Sequence, residues 1–170
     1  MHIITPRLVL RDFGFADVDA VLAYQSTEEY LRFYPWEGRS RLGVETLVER
    51  FIGWQHERPR TRFQVAITLR SNDALIGCCG VRTTSSDNSE GEFGCELNPD
   101  HWGQGYAVEA SRGIIDFGFN TVGLHRIYAE CVAENEASIK LCKSLGMRQE
   151  GLFKNRAWMK QRWWDISIWA

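Results

Sequence analysis

One stretch constrains this chain more than any other: Leu97-Asn98-Pro99-Asp100-His101-Trp102-Gly103-Gln104-Gly105-Tyr106-Ala107-Val108-Glu109-Ala110. Its first residue closes a run, Glu92 to Leu97, that reads as a strand. Its last residues open a run with helical spacing, from Tyr106 to about Phe119. Gly103 and Gly105 stand between them. The first turn of a helix carries unpaired N–H groups and the positive end of a dipole, so it receives anions. Glycines at that junction let the backbone approach a phosphate that a Cβ would hold away. The expectation is a pyrophosphate cradle at a strand-loop-helix junction.

The rest of the chain has to supply a sheet and helices around that junction. Arg7 to Arg11 alternates as a first strand, and Val18, Val21 and Leu22 have helical spacing behind Asp17. Residues 28 to 41 are mixed and aromatic, with Tyr30, Phe33, Tyr34 and Trp36. This is either a loop pinned by its rings or a loop facing a substrate. Leu47, Val48, Phe51 and Gln55 share one side of a second helix that ends before Pro59. Phe63 to Leu69, a turn at Ser71-Asn72-Asp73, and Ala74 to Val81 form a hairpin. The polar, serine-rich run 83–91 reads as a loop, and Glu92–Leu97 follows as the third strand of a meander. After the glycine loop come a helix, a strand over Arg126–Val132, and a helix capped by Asn135 and stopped at Gly146. Strands over 147–154 and 162–168 close the chain. The order β-α-α-β-β-β-α-β-α-β-β predicts one domain over residues 1–170, of the α/β (α+β) class. It has a mixed, mostly antiparallel sheet, a central parallel pair and helices on both faces.

Composition excludes several classes. A formal net charge of −2 gives no footprint for nucleic acid. No apolar run reaches the ~18 residues of a membrane span, and the first residues lack the features of a secretory leader, so a cytoplasmic protein is expected. The five cysteines (Cys78, Cys79, Cys95, Cys131, Cys142) include no CxxC pair and lie in apolar surroundings, as buried free thiols do. The four histidines are scattered and predict no metal site. Four of the seven tryptophans, Trp158, Trp163, Trp164 and Trp169, crowd the last thirteen residues, as a strand pair that also has the material to line a cleft.

A nucleotide-triphosphate loop needs Gly-Lys-Ser/Thr, and Tyr106 follows Gly105. A dinucleotide loop, as in an oxidoreductase, needs a third glycine where Val108 stands and normally follows an early strand of a parallel sheet. Trp102-Gly103-Gln104-Gly105-Tyr106-Ala107 instead resembles the Gln/Arg-x-x-Gly-x-Gly/Ala loop of the GCN5-related N-acetyltransferase (GNAT) family, with Trp102 in place of Gln or Arg. Thr5 to Arg11, Gly94 to Leu97, Glu109-Ala110, Asn135-Glu136-Ala137-Ser138, Leu145-Gly146-Met147 and Glu150-Gly151 are similar, in that order, to the ribosomal-protein N-acetyltransferase-like branch.

The resemblance implies acetyl-CoA as co-substrate, bound where the strands 92–97 and 126–132 splay. The pyrophosphate would lie on the amides of Gly103, Gln104, Gly105, Tyr106, Ala107 and Val108, next to Trp102. The pantetheine arm would run along the strand ending at Leu97 and be held by Asn135. A primary amine, either a protein N-terminus or a small molecule, would attack the thioester directly. A backbone N–H between Cys95 and Leu97 would polarise the carbonyl, and Ser138 would protonate the leaving thiolate. Glu92 ranks first and Glu96 second as the base. Strict alternation puts both on one face, and the β-bulge usual in the family would break that parity. Cys95 stands where the branch often has tyrosine. Tyr34, Trp36 and the Trp158–Trp164 tail would flank the acceptor, the chain acting as monomer or homodimer. A catalytically silent CoA-binding module is the other class such a loop serves.

Overall fold

The computed structural model describes residues 1–85, 87 and 89–170. Eight strands form one sheet: β1 (His2–Ile4), β2 (Leu8–Arg11), β3 (Arg62–Leu69), β4 (Leu75–Thr83), β5 (Glu90–Leu97), β6 (Arg126–Val132), β7 (Gln149–Met159) and β8 (Arg162–Trp169). The helices are α1 (Val18–Gln25), α2 (Glu28–Leu31), α3 (Arg41–Gln55), α4 (Tyr106–Phe117) and α5 (Glu136–Ser144). The sheet order is β1-β2-β3-β4-β5-β6-β8-β7, and every neighbouring pair is antiparallel except β5–β6.

Period-2 alternation divides the core into two layers. Val65, Ile67, Cys79 and Val81 point to one face, where Ala110 and Ile114 of α4 and Cys142 of α5 pack. Ala66 and Cys78 point to the other, under Val21 and Tyr24 of α1 and Val44, Val48 and Phe51 of α3. The expected helices on both faces are therefore present.

Several details differ from the sequence-based expectation, and β7 runs on to Met159 where a strand over 147–154 is expected. His2–Ile4 is an extra edge strand paired with β2, too short to announce itself as a run. Residues 28–31 of the aromatic segment form a helical turn, because the Thr27 hydroxyl accepts the Tyr30 N–H as an N-cap. The expected serine-rich loop is shorter, since Thr83 ends β4 and Glu90 opens β5; within it, Ser86 and Asn88 lie outside the described residues.

The parallel pair is brief. Glu90, Gly91 and Glu92 pair with Arg126, Ile127 and Tyr128, and there the ladder stops. Ala129 to Val132 pair with β8 instead, so β5 from Phe93 onward diverges from β6. This divergence opens the gap that the site occupies.

Candidate active site

The orientation of the β5 backbone follows from one bond. The Asn98 N–H donates to the Ile76 carbonyl at 2.7 Å, and the β4–β5 register runs unbroken from Gly77–Leu97 to Thr83–Gly91. Antiparallel residues alternate between bonded and non-bonded pairs. Glu96, Gly94 and Glu92 therefore spend their backbone groups on β4, while those of Phe93, Cys95 and Leu97 face the gap. The Leu97 carbonyl is taken by the Trp102 indole N–H at 2.8 Å, which ties the glycine loop to the strand end. That bond gives Trp102 a physical role at the position where the motif has Gln or Arg.

At the mouth of the gap lies the start of α4. Gly103 and Gly105 have φ of +73° and +80°, the left-handed region that favours glycine. A Cβ on Gly103 would meet no atom within 4 Å, so the loop surface there is open. Among the described residues no side chain caps the helix, and the first amide that bonds back is Glu109 to the Gly105 carbonyl. The amides of Tyr106, Ala107 and Val108 are thus the free donors of a first turn. A cleft of about 1680 Å³ is lined by these residues together with Cys95, Glu96 and Leu97 of β5, Asn135 and Ser138 of α5, and Lys160 and Gln161 from the β7–β8 turn.

The loop is held from behind by contacts that sequence reasoning did not find. Arg7 donates Nε to Glu109 at 2.6 Å and Nη1 to the Gln104 carbonyl at 2.9 Å, and it lies 4.4 Å over the Tyr106 ring. Thr5 donates to the same carboxylate at 2.6 Å. Burial pushes the Glu109 carboxyl up, but the Thr5 hydroxyl and Arg7 outweigh it and hold it below the usual carboxylate range. These contacts turn the Gln104 carbonyl outward, so Gln104 itself does not line the cleft.

The two glutamates fare differently. The unbroken register means that no bulge separates them from β4, and they share a face as alternation requires. Glu92 sits where β5 and β6 are still paired and is bound to Arg82 at 3.3 Å, so the structure does not bring it to the cleft. Glu96 lines it. Its carboxylate accepts from Tyr24 (2.6 Å), Gln25 (2.8 Å), Tyr30 (2.6 Å) and Tyr34 (3.0 Å). Burial first, and the Glu96 charge second, push all three phenols well above their usual range, so they remain neutral donors. Tyr30 and Tyr34 stack at 4.4 Å and Tyr34 and Trp36 at 5.0 Å.

Asn135 caps α5, its Oδ1 accepting the Ser138 N–H at 3.2 Å, and both residues line the cleft. The Ser138 hydroxyl has no protein partner among the described residues. The tryptophan tail is placed otherwise than expected. Trp158 and Trp163 are turned to solvent, Trp164 is buried, and the hairpin reaches the cleft through Lys160, whose Nζ donates to the Leu31 carbonyl at 2.8 Å. Strand parity decides this, since adjacent residues face opposite sides. The cysteines are all free, four of them buried; burial pushes Cys95, at the cleft, up to about 12. Among the described residues no cluster of His, Cys, Asp and Glu is grouped to hold a metal, and no helix is long and apolar enough to cross a membrane.

An uncapped helix start, two left-handed glycines and an open strand edge face one cleft and offer free backbone donors to an extended, anionic ligand. The model of the acetyltransferase (GNAT) domain matches residues 7–148, and the chain belongs to that family of acetyl-CoA-dependent N-acetyltransferases. It is 36% identical over 170 residues to an uncharacterised N-acetyltransferase of Bacillus subtilis, YnaD, covering 100% of this chain and 96% of the relative. A crystal structure of a GNAT acetyltransferase from Bacillus anthracis superposes with a TM-score of 0.87 at 29% identity, covering 99% and 96% of the two chains. RimL, a ribosomal L7/L12 α-N-protein acetyltransferase solved with coenzyme A, shares the fold at a TM-score of 0.85 and 16% identity, over 99% and 96%. The dinucleotide-dependent oxidoreductase reading has no place in this family.

Proposed function

We propose that this cleft transfers acetyl from acetyl-CoA to a primary amine that enters from the α1–α3 side of the sheet, by direct attack. The observation that carries the proposal is the open β5 edge beside the uncapped start of α4. Bound acetyl-CoA supplies the electrophilic thioester carbonyl and the thiolate that leaves. The amides of Gly103, Gly105, Tyr106, Ala107 and Val108 receive the pyrophosphate charge, and the β5 edge facing β6 pairs with the pantetheine arm. The Cys95 and Leu97 N–H groups, which face the gap, polarise the carbonyl oxygen. Asn135 orients the arm, and the Ser138 hydroxyl returns a proton to the leaving sulfur.

Glu96 acts by charge rather than as a direct base. A carboxylate offers about four acceptor positions, and its four donors occupy them. The ammonium proton leaves through water in the cleft. Glu96 draws the cation and fixes Tyr30 and Tyr34, while Glu92, bound to Arg82, takes no part. The acceptor is either a protein N-terminus or a small amine, as monomer or homodimer.

The test is thermal unfolding with acetyl-CoA, CoA, NAD and ATP in parallel, followed by thiol release on an amine panel. Only the CoA species should raise the melting temperature, and thiol should be released with amine. CoA binding without turnover on any amine would reduce the protein to a silent CoA-binding module. Ser138→Ala should lower kcat on the order of tenfold to a hundredfold, in the range of general-acid catalysis. An unaltered kcat would remove Ser138 from the mechanism.

A further inference from the structure

A second cavity, of about 280 Å³, adjoins the cofactor cleft. Tyr30, Tyr34 and Glu96 line both, so the two meet at these side chains. The smaller cavity is cationic: Arg39, Arg50 and Arg82 line it, and Glu96 is its one carboxylate.

The charges are unequally satisfied. Glu96 has its four donors, and Arg82 is spent on Gln64 at 2.8 Å and Glu92 at 3.3 Å. Arg39 gives Nε to Gln25 at 2.9 Å and stacks 4.8 Å over Trp36, so its ring-bound guanidinium is held in place with its terminal nitrogens unpartnered among the described residues. Arg50, an exposed residue that also lines the cavity, makes no hydrogen bond or ion pair among those residues. The Trp36 indole N–H is buried and has no acceptor among the described residues. Buried donors are almost always paired, so an orphan in a cavity wall marks the position of a missing acceptor. Two guanidinium groups and an indole N–H on one small cavity call for anionic oxygens, and a guanidinium fork matches a carboxylate. On the cofactor side acidic residues outnumber basic ones, Glu28, Glu29 and Glu37 among those that line the cleft.

We infer that the smaller cavity binds a carboxylate carried on the same small molecule as the amine, so that the acetyl acceptor is an amino acid with an apolar side chain. The acidic side takes the ammonium end and the Arg39–Arg50 side takes the carboxylate, which sets one orientation. Leu47 and Phe51 in the cavity wall receive the apolar side chain. The volume suits a small ligand, since pockets for drug-sized molecules begin near about 300 Å³. Unpaired arginines in this position oppose a polyamine. The inference rests on the acetyl transfer proposed above.

The experiment compares acceptors that differ only in the carboxylate. Thiol release from acetyl-CoA is measured with phenylalanine against phenethylamine, leucine against isoamylamine, and spermidine alone. The amino acid of each pair should have a kcat/KM at least about tenfold higher, the order expected for one charge-assisted pair. Arg39→Gln and Arg50→Gln should each cut that ratio several-fold, and Arg39→Lys should restore part of it. Melting curves with acetyl-CoA confirm that each variant folds and binds. Equal rates within both pairs, a preference for spermidine, or turnover confined to amines without a carboxylate would overturn the inference and leave acetyl transfer standing. Absence of both a CoA-dependent melting shift and thiol release would remove the acetyl-transfer reading, and this inference with it.

Discussion

Replacing Glu96 by alanine removes the acceptor of four donors at once, three of them on nearly inaccessible residues: Tyr24 is 2% exposed, Gln25 1% and Tyr30 6%. A buried donor left without its acceptor costs ~1–3 kcal/mol. Three such orphans would cost ~3–9 kcal/mol if they added. Cavities adjoin the site on both sides and admit water to some of them, which places the loss near the lower end, ~3–4 kcal/mol. For a domain of this size that lowers the melting temperature on the order of 10 °C. Urea unfolding followed by tryptophan fluorescence reads the change directly, with seven tryptophans reporting. Glu96→Gln should fall between, because the amide keeps one acceptor oxygen but turns N–H groups toward other donors. Tyr24→Phe should cost only about 1 kcal/mol, since it removes a donor and leaves the carboxylate three. A Glu96→Ala protein within 1 kcal/mol of wild type would refute the reasoning that this carboxylate organises the site.

Further outcomes follow from the same geometry. Gly105→Trp places a side chain at φ +80°, with its Cβ 3.4 Å from an Arg7 nitrogen, at the price of ~1–2 kcal/mol of left-handed strain. The fold should survive while the acetyl-CoA melting shift, ~2.7 kcal/mol at a hundred times Kd, disappears; unchanged affinity would move the phosphate site elsewhere. Glu109 has its folded pKa held below the ordinary carboxylate value, so its contribution is complete above about pH 4.3 and lost as pH falls through the folded value. The stability gap between wild type and Glu109→Gln should therefore close on acidification, and a gap that widens would contradict the Thr5–Arg7 clamp. Cys95, pushed up to about 12 by burial, should resist iodoacetamide at pH 8, its thiolate fraction being roughly three orders of magnitude below that of a free cysteine. Intact-mass labelling before and after unfolding checks this, and fast native labelling of Cys95 would refute it.

Local rules made much of this molecule readable. The meander, the two long helices and the glycine junction follow from hydrophobic period, caps and turn residues, whose physics acts over a few positions. The pairing of Asn135 with Ser138 and the left-handed glycines follow in the same way. The clamp on the glycine loop was not legible, because Arg7 meets Glu109 across a separation of 102 residues and nothing in either neighbourhood announces the other. The choice between Glu92 and Glu96 was equally closed to periodicity, which sets both on one face. What separates them is where β5 leaves β6, and that depends on the strands around them. Tyr30 reads as part of an aromatic loop, and nothing in the sequence singles out Tyr24 or Gln25; only the packing of α1 and α2 onto β5 aims their donors at one carboxylate. The sequence by itself thus determined most of the elements and the glycine junction, because both depend on short-range sterics and hydrogen bonding. The tertiary structure alone decided which charges are spent and which stand free, because charge pairing depends on distances set by the whole sheet.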